Sequence, residues 1–153
     1  MVTTTNELVI EAFNRLLAVC KASEQAFRLA AQAVHDSDLK ILFRQVSYQR
    51  ARMASEIRSE IRLLGGEPEM LDGMTMPAAC DGMAVAAVQG DDHFILAACE
   101  RMQDAVDLTF SETLLDTNIP PELLIVHRKQ YAEVRQSIER LHALKQPLAG
   151  QVS

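Results

Sequence analysis

Four histidines carry the side chains best able to bind a metal ion or move a proton, and the sequence keeps them apart. A pair of bound metal ions needs imidazole and carboxylate ligands that converge at one height. His35 lies at a turn, His93 begins a helix, and Glu139-x-x-His142 lies in the last turns of a helix, one position off its apolar repeat. Only His127 shares such a repeat, which is typical of a hydrogen-bonded core histidine. We therefore expect no paired-metal oxidase site.

Three cysteines could bind a metal or form a disulfide. Cys20, Cys80 and Cys99 are widely separated and have no Cys-x-x-Cys spacing. An odd number without that spacing argues against a disulfide framework and against a zinc knuckle. We interpret all three as buried free thiols.

Four of the seven methionines fall between the second and third long helices, at Met70, Met74, Met76 and Met83. A methionine cluster can hold a soft ion such as Cu(I), but methionine also fills irregular gaps beneath a loop. Because no histidine accompanies them, we favour the packing role.

Polar residues interrupt the apolar repeats of the first two helices near their midpoints. Ser23 and Glu24 do so in the first helix, Gln49 and Arg50 in the second. Antiparallel packing about the turn at residues 35–37 places both gaps at similar heights. We expect a polar centre there, in which Glu24 and Arg50 can form an ion pair. Glu24 has two alternatives, a metal ligand or a carboxylate that reaches out at the edge of the seam.

Four long segments with apolar residues at alternating spacings of three and four predict an all-α fold. The first helix begins near Asn6, after the capping box Thr4-x-x-Glu7. The second covers residues 38–64, and Asp36 or Ser37 caps it. The third runs from an Asp91 or Asp92 cap to about residue 115, and the fourth starts at Pro121.

The longest interruption between helices covers residues 65–92. It holds the chain breakers Gly65, Gly66, Pro68, Gly73 and Pro77, and residues 77–88 can form one short helix within it. The segment can retrace the second helix, which is roughly 40 Å long at about 1.5 Å per residue. The second and third helices are therefore predicted to be parallel. One long crossover in a four-helix bundle is the ferritin-like arrangement.

Apolar residues cover an unusually wide arc of the third helix. Phe94, Leu108, Phe110 and Leu114 cannot all face one seam. We expect a homodimer or larger homo-oligomer that uses this arc or the methionine-rich crossover.

Length and charge limit the remaining possibilities. The 153 residues fit one domain, 1–153, with a core at about 6–145. The net charge of −6, with glutamates interleaved among the arginines of the second helix, argues against nucleic acid. The first residues lack the pattern of a signal peptide and no stretch is long enough to span a membrane, so we expect a cytoplasmic protein without a membrane partner.

Landmarks at turns and packing positions carry a family resemblance over residues 7–145. They are Ala30-Ala31, Asp36-Ser37-Asp38-Leu39-Lys40, Leu42-Phe43, Leu64-Gly65-Gly66-Glu67-Pro68, Gly90-Asp91-Asp92, Cys99-Glu100-Arg101, Pro120-Pro121-Glu122 and Gln130-x-x-Glu133-Val134-Arg135. With these, the chain resembles a bacterial branch of the ferritin-like superfamily, small four-helix-bundle proteins classed as a domain of unknown function. The resemblance implies a fold, but its landmarks identify no catalytic or metal-binding residue.

Metal chemistry in the wider superfamily uses one Glu from each of two helices and a Glu-x-x-His from each of the other two. The second helix here has no Glu-x-x-His, and its middle reads Tyr48-Gln49-Arg50-Ala51. Carboxylates that could approach the interior are Glu24, Glu56, Glu100 and Glu133. Without histidine they would favour a weakly bound hard cation, iron or manganese.

Two main functional hypotheses follow. The first is a non-catalytic bundle without a cofactor that acts through self-association or by binding another protein. The second is a degenerate carboxylate site that binds iron or manganese, which the metal content after purification would separate from the first. Histidine phosphotransfer is a third, distant hypothesis, based on the exposed His142-x-x-Lys145.

Overall fold

The computed structural model describes residues 4–69 and 81–150. Within them the chain is all-α, with five helices and no strand. The helices are α1 (Thr5–Ala33), α2 (Ser37–Leu63), the short α3 (Asp81–Gln89), α4 (Asp92–Leu114) and α5 (Ile125–Gly150), with a 3-10 turn at Pro121–Leu124. Met70, Met74, Met76 and Cys80 lie outside the described residues, as does the rest of the segment 70–80 within the predicted crossover. No described helix has the length and hydropathy needed to span a membrane.

Capping side chains fix where the helices begin. The Thr4 hydroxyl accepts a hydrogen bond from the backbone N–H of Glu7 at 3.1 Å, so the predicted start of α1 is confirmed. Asp36 caps α2 through the N–H of Leu39, at 2.9 Å. Asp91 caps α4 through the N–H of His93, at 2.8 Å.

Asp92 joins the first residues of α4 to the turn between α1 and α2. Its carboxylate accepts hydrogen bonds from the backbone N–H groups of His35 and Asp36, both at 2.8 Å. Burial would raise the pKa of Asp92, but these donors outweigh it and lower that pKa. α4 therefore starts at the same end of the molecule as α2.

Two glycines end α2. Gly65 has φ of +83°, in the left-handed region, and its N–H bonds the carbonyl of Arg62. The N–H of Gly66 reaches back to the carbonyl of Ile61 at 2.9 Å, the Schellman pattern. A Cβ at Gly66 would lie 2.8 Å from the side chain of Ile10, so the chain passes close to α1 here.

Contacts between residues near the helix ends show how α1 and α5 run relative to α2. Asn6, at the start of α1, donates to the carbonyl of Leu64 at the end of α2. Near the start of α5, His127 contacts Glu60 of α2, and further along α5 Arg140 donates to Gln45 of α2. α1 packs on α2 and α4, α5 packs on the same two helices, and α3 lies against α1 and α4.

The core follows the predicted apolar repeats. Its members on the four long helices include Val9, Phe13, Leu16, Phe27, Leu42, Phe43, Met53, Ile57, Ile95, Cys99, Met102, Val106, Val134 and Leu141. The wide apolar arc of α4 is partly buried and partly exposed. Phe110 is buried and Leu114 is half-buried, whereas Phe94 and Leu108 are 56% and 59% exposed.

Candidate functional site

Arg50 occupies the middle of the helix assembly and is fully buried. Its Nη1 and Nη2 each donate to Oε1 of Gln103 on α4 at 3.1 Å, and Nη2 also donates to Oγ of Ser137 on α5 at 2.8 Å. Nε donates to the side chain of Gln49 at 3.1 Å. One side chain of α2 is therefore bonded to both helices that close the opposite side of the core. We call Gln49, Arg50, Gln103 and Ser137 the Arg50 cluster.

The polar groups of Gln103 and Ser137 are also satisfied. Gln103 Nε2 donates to Ser137 Oγ at 3.0 Å, and Ser137 Oγ donates to the carbonyl of Val134 at 2.6 Å. The guanidinium carbon lies 5.9 Å from the centre of the Phe27 ring, a cation–π distance. The charge is therefore stabilised by neutral oxygens and a ring face. No carboxylate of the described residues forms an ion pair with it.

Burial sets the protonation of the groups around this charge. It lowers the pKa of Arg50 to about 10, so the guanidinium stays charged at neutral pH. Burial raises the pKa of the Cys20 thiol to about 12, although the charge of Arg50 acts to lower it. The pKa of the buried Cys99 thiol is also raised by burial. Both described cysteines are free and buried, as predicted.

The expected ion pair between Glu24 and Arg50 is wrong. Glu24 pairs instead with Lys21 and Arg28 of its own helix, each at 2.7 Å. The heights were predicted correctly, since Ser47 of α2 donates to the backbone carbonyl of Glu24. The pairing fails because the Arg50 side chain extends inward to α4 and α5, whereas the Glu24 carboxylate is held by neighbours three residues before it and four after it.

Each of the four glutamates proposed as cation ligands lies beside a basic side chain. Glu56 and Glu133 both bond Arg52, and Glu100 pairs with Lys145 at 3.1 Å. In the described ranges, no three His, Cys, Asp or Glu side chains are grouped so that they could hold a metal ion. Glu56 and Glu133 alone come together, through their shared arginine. A cation site at Glu24, Glu56, Glu100 and Glu133 stays a prediction.

A second buried polar group lies nearer the end of the molecule, where α2 ends and α5 begins. His127 is fully buried, as predicted, and its ring centre lies 4.4 Å from that of Phe13. Its Nε2 lies 2.8 Å from a carboxylate oxygen of Glu60, and its Nδ1 lies 2.9 Å from Oε1 of Gln130. We call Glu60, His127 and Gln130 the His127 cluster.

The His127 cluster leaves two buried atoms without a partner among the described residues, Glu60 Oε1 and Gln130 Nε2. Both ring nitrogens of His127 face oxygen acceptors, which suits an imidazolium that donates from both sides. A neutral His127 ring bonds equally well once the Gln130 amide is turned by 180°. Gln130 Nε2 then donates to His127 Nδ1 and so gains a partner. Glu60 also lines a cavity of about 140 Å³ beside Phe13 and Val126.

The remaining histidines lie at the surface. His35 contacts Asp92 at the α1–α2 turn, and its side chain is 76% exposed. Glu139 and His142 are both exposed, which agrees with their predicted position off the apolar repeat of the helix. Only His127 places an imidazole in the described core.

Sequence reasoning missed Gln103, Ser137 and Glu60. A signal for the first two was present, because Gln103 follows Cys99 by four residues and precedes Val106 by three, which puts an amide in an apolar repeat. Ser137 interrupts the repeat of α5 in the same way, between Val134 and Leu141. Glu60 gave no such signal, because it does not itself occupy the apolar repeat of α2, which runs through Ile57, Ile61 and Leu64.

Comparison with the curated proteins finds no match. A family model described as a domain of unknown function (DUF2383) matches residues 8–116. That range covers more than half of the chain and includes nearly all of α1 and the whole of α2, α3 and α4, with Arg50 and Gln103. The chain therefore belongs to the DUF2383 family.

Proposed function

We propose that this protein is a non-catalytic, ferritin-like four-helix bundle that acts through self-association. Four long helices with α2 and α4 starting at the same end fit that topology, with one long connection between them. A broader form of the proposal is that the protein binds another protein through the surface that would carry self-association, the outer face of α4.

The observation that carries the non-catalytic part is the position of Arg50. In the wider superfamily the middle of the bundle holds metal ions among carboxylates and imidazoles. Here a buried guanidinium, bonded to Gln103 and Ser137, occupies the middle. A fixed positive charge in a medium of low dielectric repels a second cation strongly. The interior therefore favours a structural role over metal chemistry.

The outer face of α4 supports self-association. Phe94, Ala97, Arg101, Asp104 and Leu108 recur at spacings of three and four, and all five are exposed. Such spacing makes a single stripe along a helix, as in a helix–helix seam. Burying Phe94 or Leu108 in a dimer would contribute about 1.5–3 kcal/mol each.

The stripe is complementary to itself when two copies meet antiparallel across a two-fold axis. The register that centres the axis between Arg101 and Asp104 places Arg101 opposite the partner's Asp104, and the reverse. The same register brings Leu108 opposite the partner's Ala97. Neither Arg101 nor Asp104 forms an ion pair with another described residue of its own chain, so neither charge is neutralised there, although the Arg101 guanidinium lies against Gly82 of α3.

Sedimentation velocity at micromolar concentration tests the proposal. The wild-type chain should sediment at about twice the 17.0 kDa of a monomer. The single reversals Arg101→Asp and Asp104→Arg should each weaken self-association at least tenfold, because each puts like charges opposite one another twice.

Mixing the two reversed variants gives the sharpest control. Arg101→Asp leaves two acidic residues in the stripe and Asp104→Arg leaves two basic ones, so in a mixed dimer both contacts again join opposite charges. The mixture should therefore dimerise although neither variant does so alone. Exposed charges rarely affect folding, and the unfolding temperature of each variant should stay near that of the wild type. A wild-type monomer, or a mixture that stays monomeric, would refute self-association through α4.

A further inference from the structure

A basic groove lies on the face formed by α1 and α2, and no residue of α4 lines it. It has a volume of about 470 Å³ and is lined mainly by Arg28, Gln32, Lys40, Arg44, Ser47 and Tyr48. Pockets for small molecules in proteins are typically about 300–1,000 Å³. The groove is thus large enough for an organic ligand and much larger than a single phosphate ion needs.

The charge of the groove is opposite to that of the chain. Three cations line it and no carboxylate does, whereas the whole chain has a net charge of −6. The nearest compensating anion is Glu24, which contacts Arg28 but is shared with Lys21. A local excess of positive charge remains, and it would draw an anion to this face.

The polar groups of the groove are available to a ligand. Arg44 and the Tyr48 hydroxyl have no hydrogen-bond or ion-pair partner among the described residues. Lys40 is oriented by one bond, from Nζ to the carbonyl of Ala31 at 2.9 Å, and its ammonium group has two further protons. Tyr48 is 71% exposed, so its ring can accept a flat group.

We propose that this groove binds an organic phosphate, a phosphate or diphosphate group carried on a flat ring such as a nucleobase. Arg44 supplies a planar guanidinium group that matches phosphate oxygens in pairs, and Lys40 and Arg28, whose Nη2 already contacts Glu24, add positive charge. The ring of the ligand stacks on Tyr48, which fills the part of the groove that phosphate leaves empty.

Isothermal titration calorimetry with ADP tests the site, in low-salt buffer with EDTA so that no metal ion bridges ligand and protein. ADP should bind, and adenosine, which lacks phosphate, should bind at least tenfold more weakly. Pyrophosphate, which lacks the ring, should also bind more weakly than ADP. Raising the salt concentration should weaken ADP binding, since the contacts are charged and exposed.

Substitutions in the groove have a matched control on the same helix. Arg44→Gln should weaken ADP binding at least tenfold, and Tyr48→Ala should reduce ADP to the affinity of pyrophosphate. Arg62 lies eighteen residues further along α2, on the same face and about 27 Å away. Arg62→Gln removes the same charge from the chain and should leave ADP binding unchanged.

Three results would overturn the assignment. They are no heat of binding with ADP up to millimolar concentration, equal losses from Arg44→Gln and Arg62→Gln, and equal affinities for ADP and pyrophosphate. Because both arginines are exposed, each variant should unfold at the wild-type temperature. The groove lies on α1 and α2, so sedimentation of the same variants should remain unchanged. Failure here would therefore be distinct from failure of self-association.

Discussion

The Arg50 cluster and the His127 cluster are two polar groups buried in one apolar core, and they are satisfied to different degrees. Each of the three guanidinium nitrogens of Arg50 has a partner, and the amide of Gln103 is bonded at both ends. In the His127 cluster, Glu60 and Gln130 each keep one buried atom without a described partner. The comparison distinguishes a polar group that fixes the structure from one that can change its hydrogen bonding.

Position explains the difference. Arg50 lies at a height where α2, α4 and α5 all contribute polar side chains, so the bonds close among protein groups. His127 lies at a height where α1 contributes the Phe13 ring and where a cavity opens beside Glu60, whose side chain is 20% exposed. Water can reach the exposed side of Glu60, and the Gln130 amide can adopt either orientation against the His127 ring.

The largest change in stability should come from removing the buried guanidinium of Arg50. Arg50→Ala leaves Gln103 Oε1 without its donors and creates a cavity in the core, so the free energy of unfolding should fall by about 3–5 kcal/mol. Urea unfolding followed by circular dichroism measures this. Arg44→Ala, an exposed arginine six residues earlier on the same helix, should change stability by less than about 0.5 kcal/mol.

A loss below about 1 kcal/mol for Arg50→Ala would mean that the guanidinium contributes little net stability and that solvent fills its place. The comparison between the clusters would then rest on geometry alone.

The two buried glutamines give a direct test of the comparison. Gln103→Leu removes the acceptor of two guanidinium bonds and should cost about 2–3 kcal/mol. Gln130→Leu removes a single bond, the one to His127 Nδ1, and leaves that buried ring nitrogen without a partner, so it should cost less, about 1 kcal/mol. The same change at two residues of equal burial, 2% and 1% exposed, isolates the effect of hydrogen bonding. Equal losses in urea unfolding at pH 7 would show that the clusters do not differ in this way.

Much of the fold could be predicted because its signals are local. The capping box of α1, the Asp36 cap of α2 and the glycines after α2 each act within a few residues, so their types and spacing were sufficient. The choice between Asp91 and Asp92 was not local. Asp91 takes the cap because Asp92 is bonded to the α1–α2 turn, more than fifty residues away in the sequence.

The site was harder to predict because it depends on which way long side chains extend. Periodicity correctly placed Arg50 at an inward position, but a single helix pattern cannot tell whether its guanidinium crosses the core or turns back to α1. Phe110 shows the same limit on α4, where a position assigned to the outer arc is fully buried. Packing between helices decides how these side chains are oriented, and the spacing of residues along one helix gives no information about that packing.

The smallest expected effect is on the reactivity of the Cys20 thiol, which lies near the charge of Arg50. An arginine near a cysteine ordinarily activates it by stabilising the thiolate. Burial outweighs that here and raises the pKa of Cys20 from 9.0 to about 12, so at pH 8 its thiolate should be roughly a thousandfold rarer than that of a free thiol. In a Cys80→Ser variant, which leaves Cys20 and Cys99, we expect almost no release of thionitrobenzoate from Ellman's reagent by the native protein at pH 8. Both thiols should react in 6 M guanidinium chloride, where burial is lost. Rapid reaction of Cys20 in the native state would mean that the positive charge of Arg50 dominates the surroundings of this thiol and that water reaches the Arg50 cluster. The Arg50 cluster would then be no better shielded from solvent than the His127 cluster.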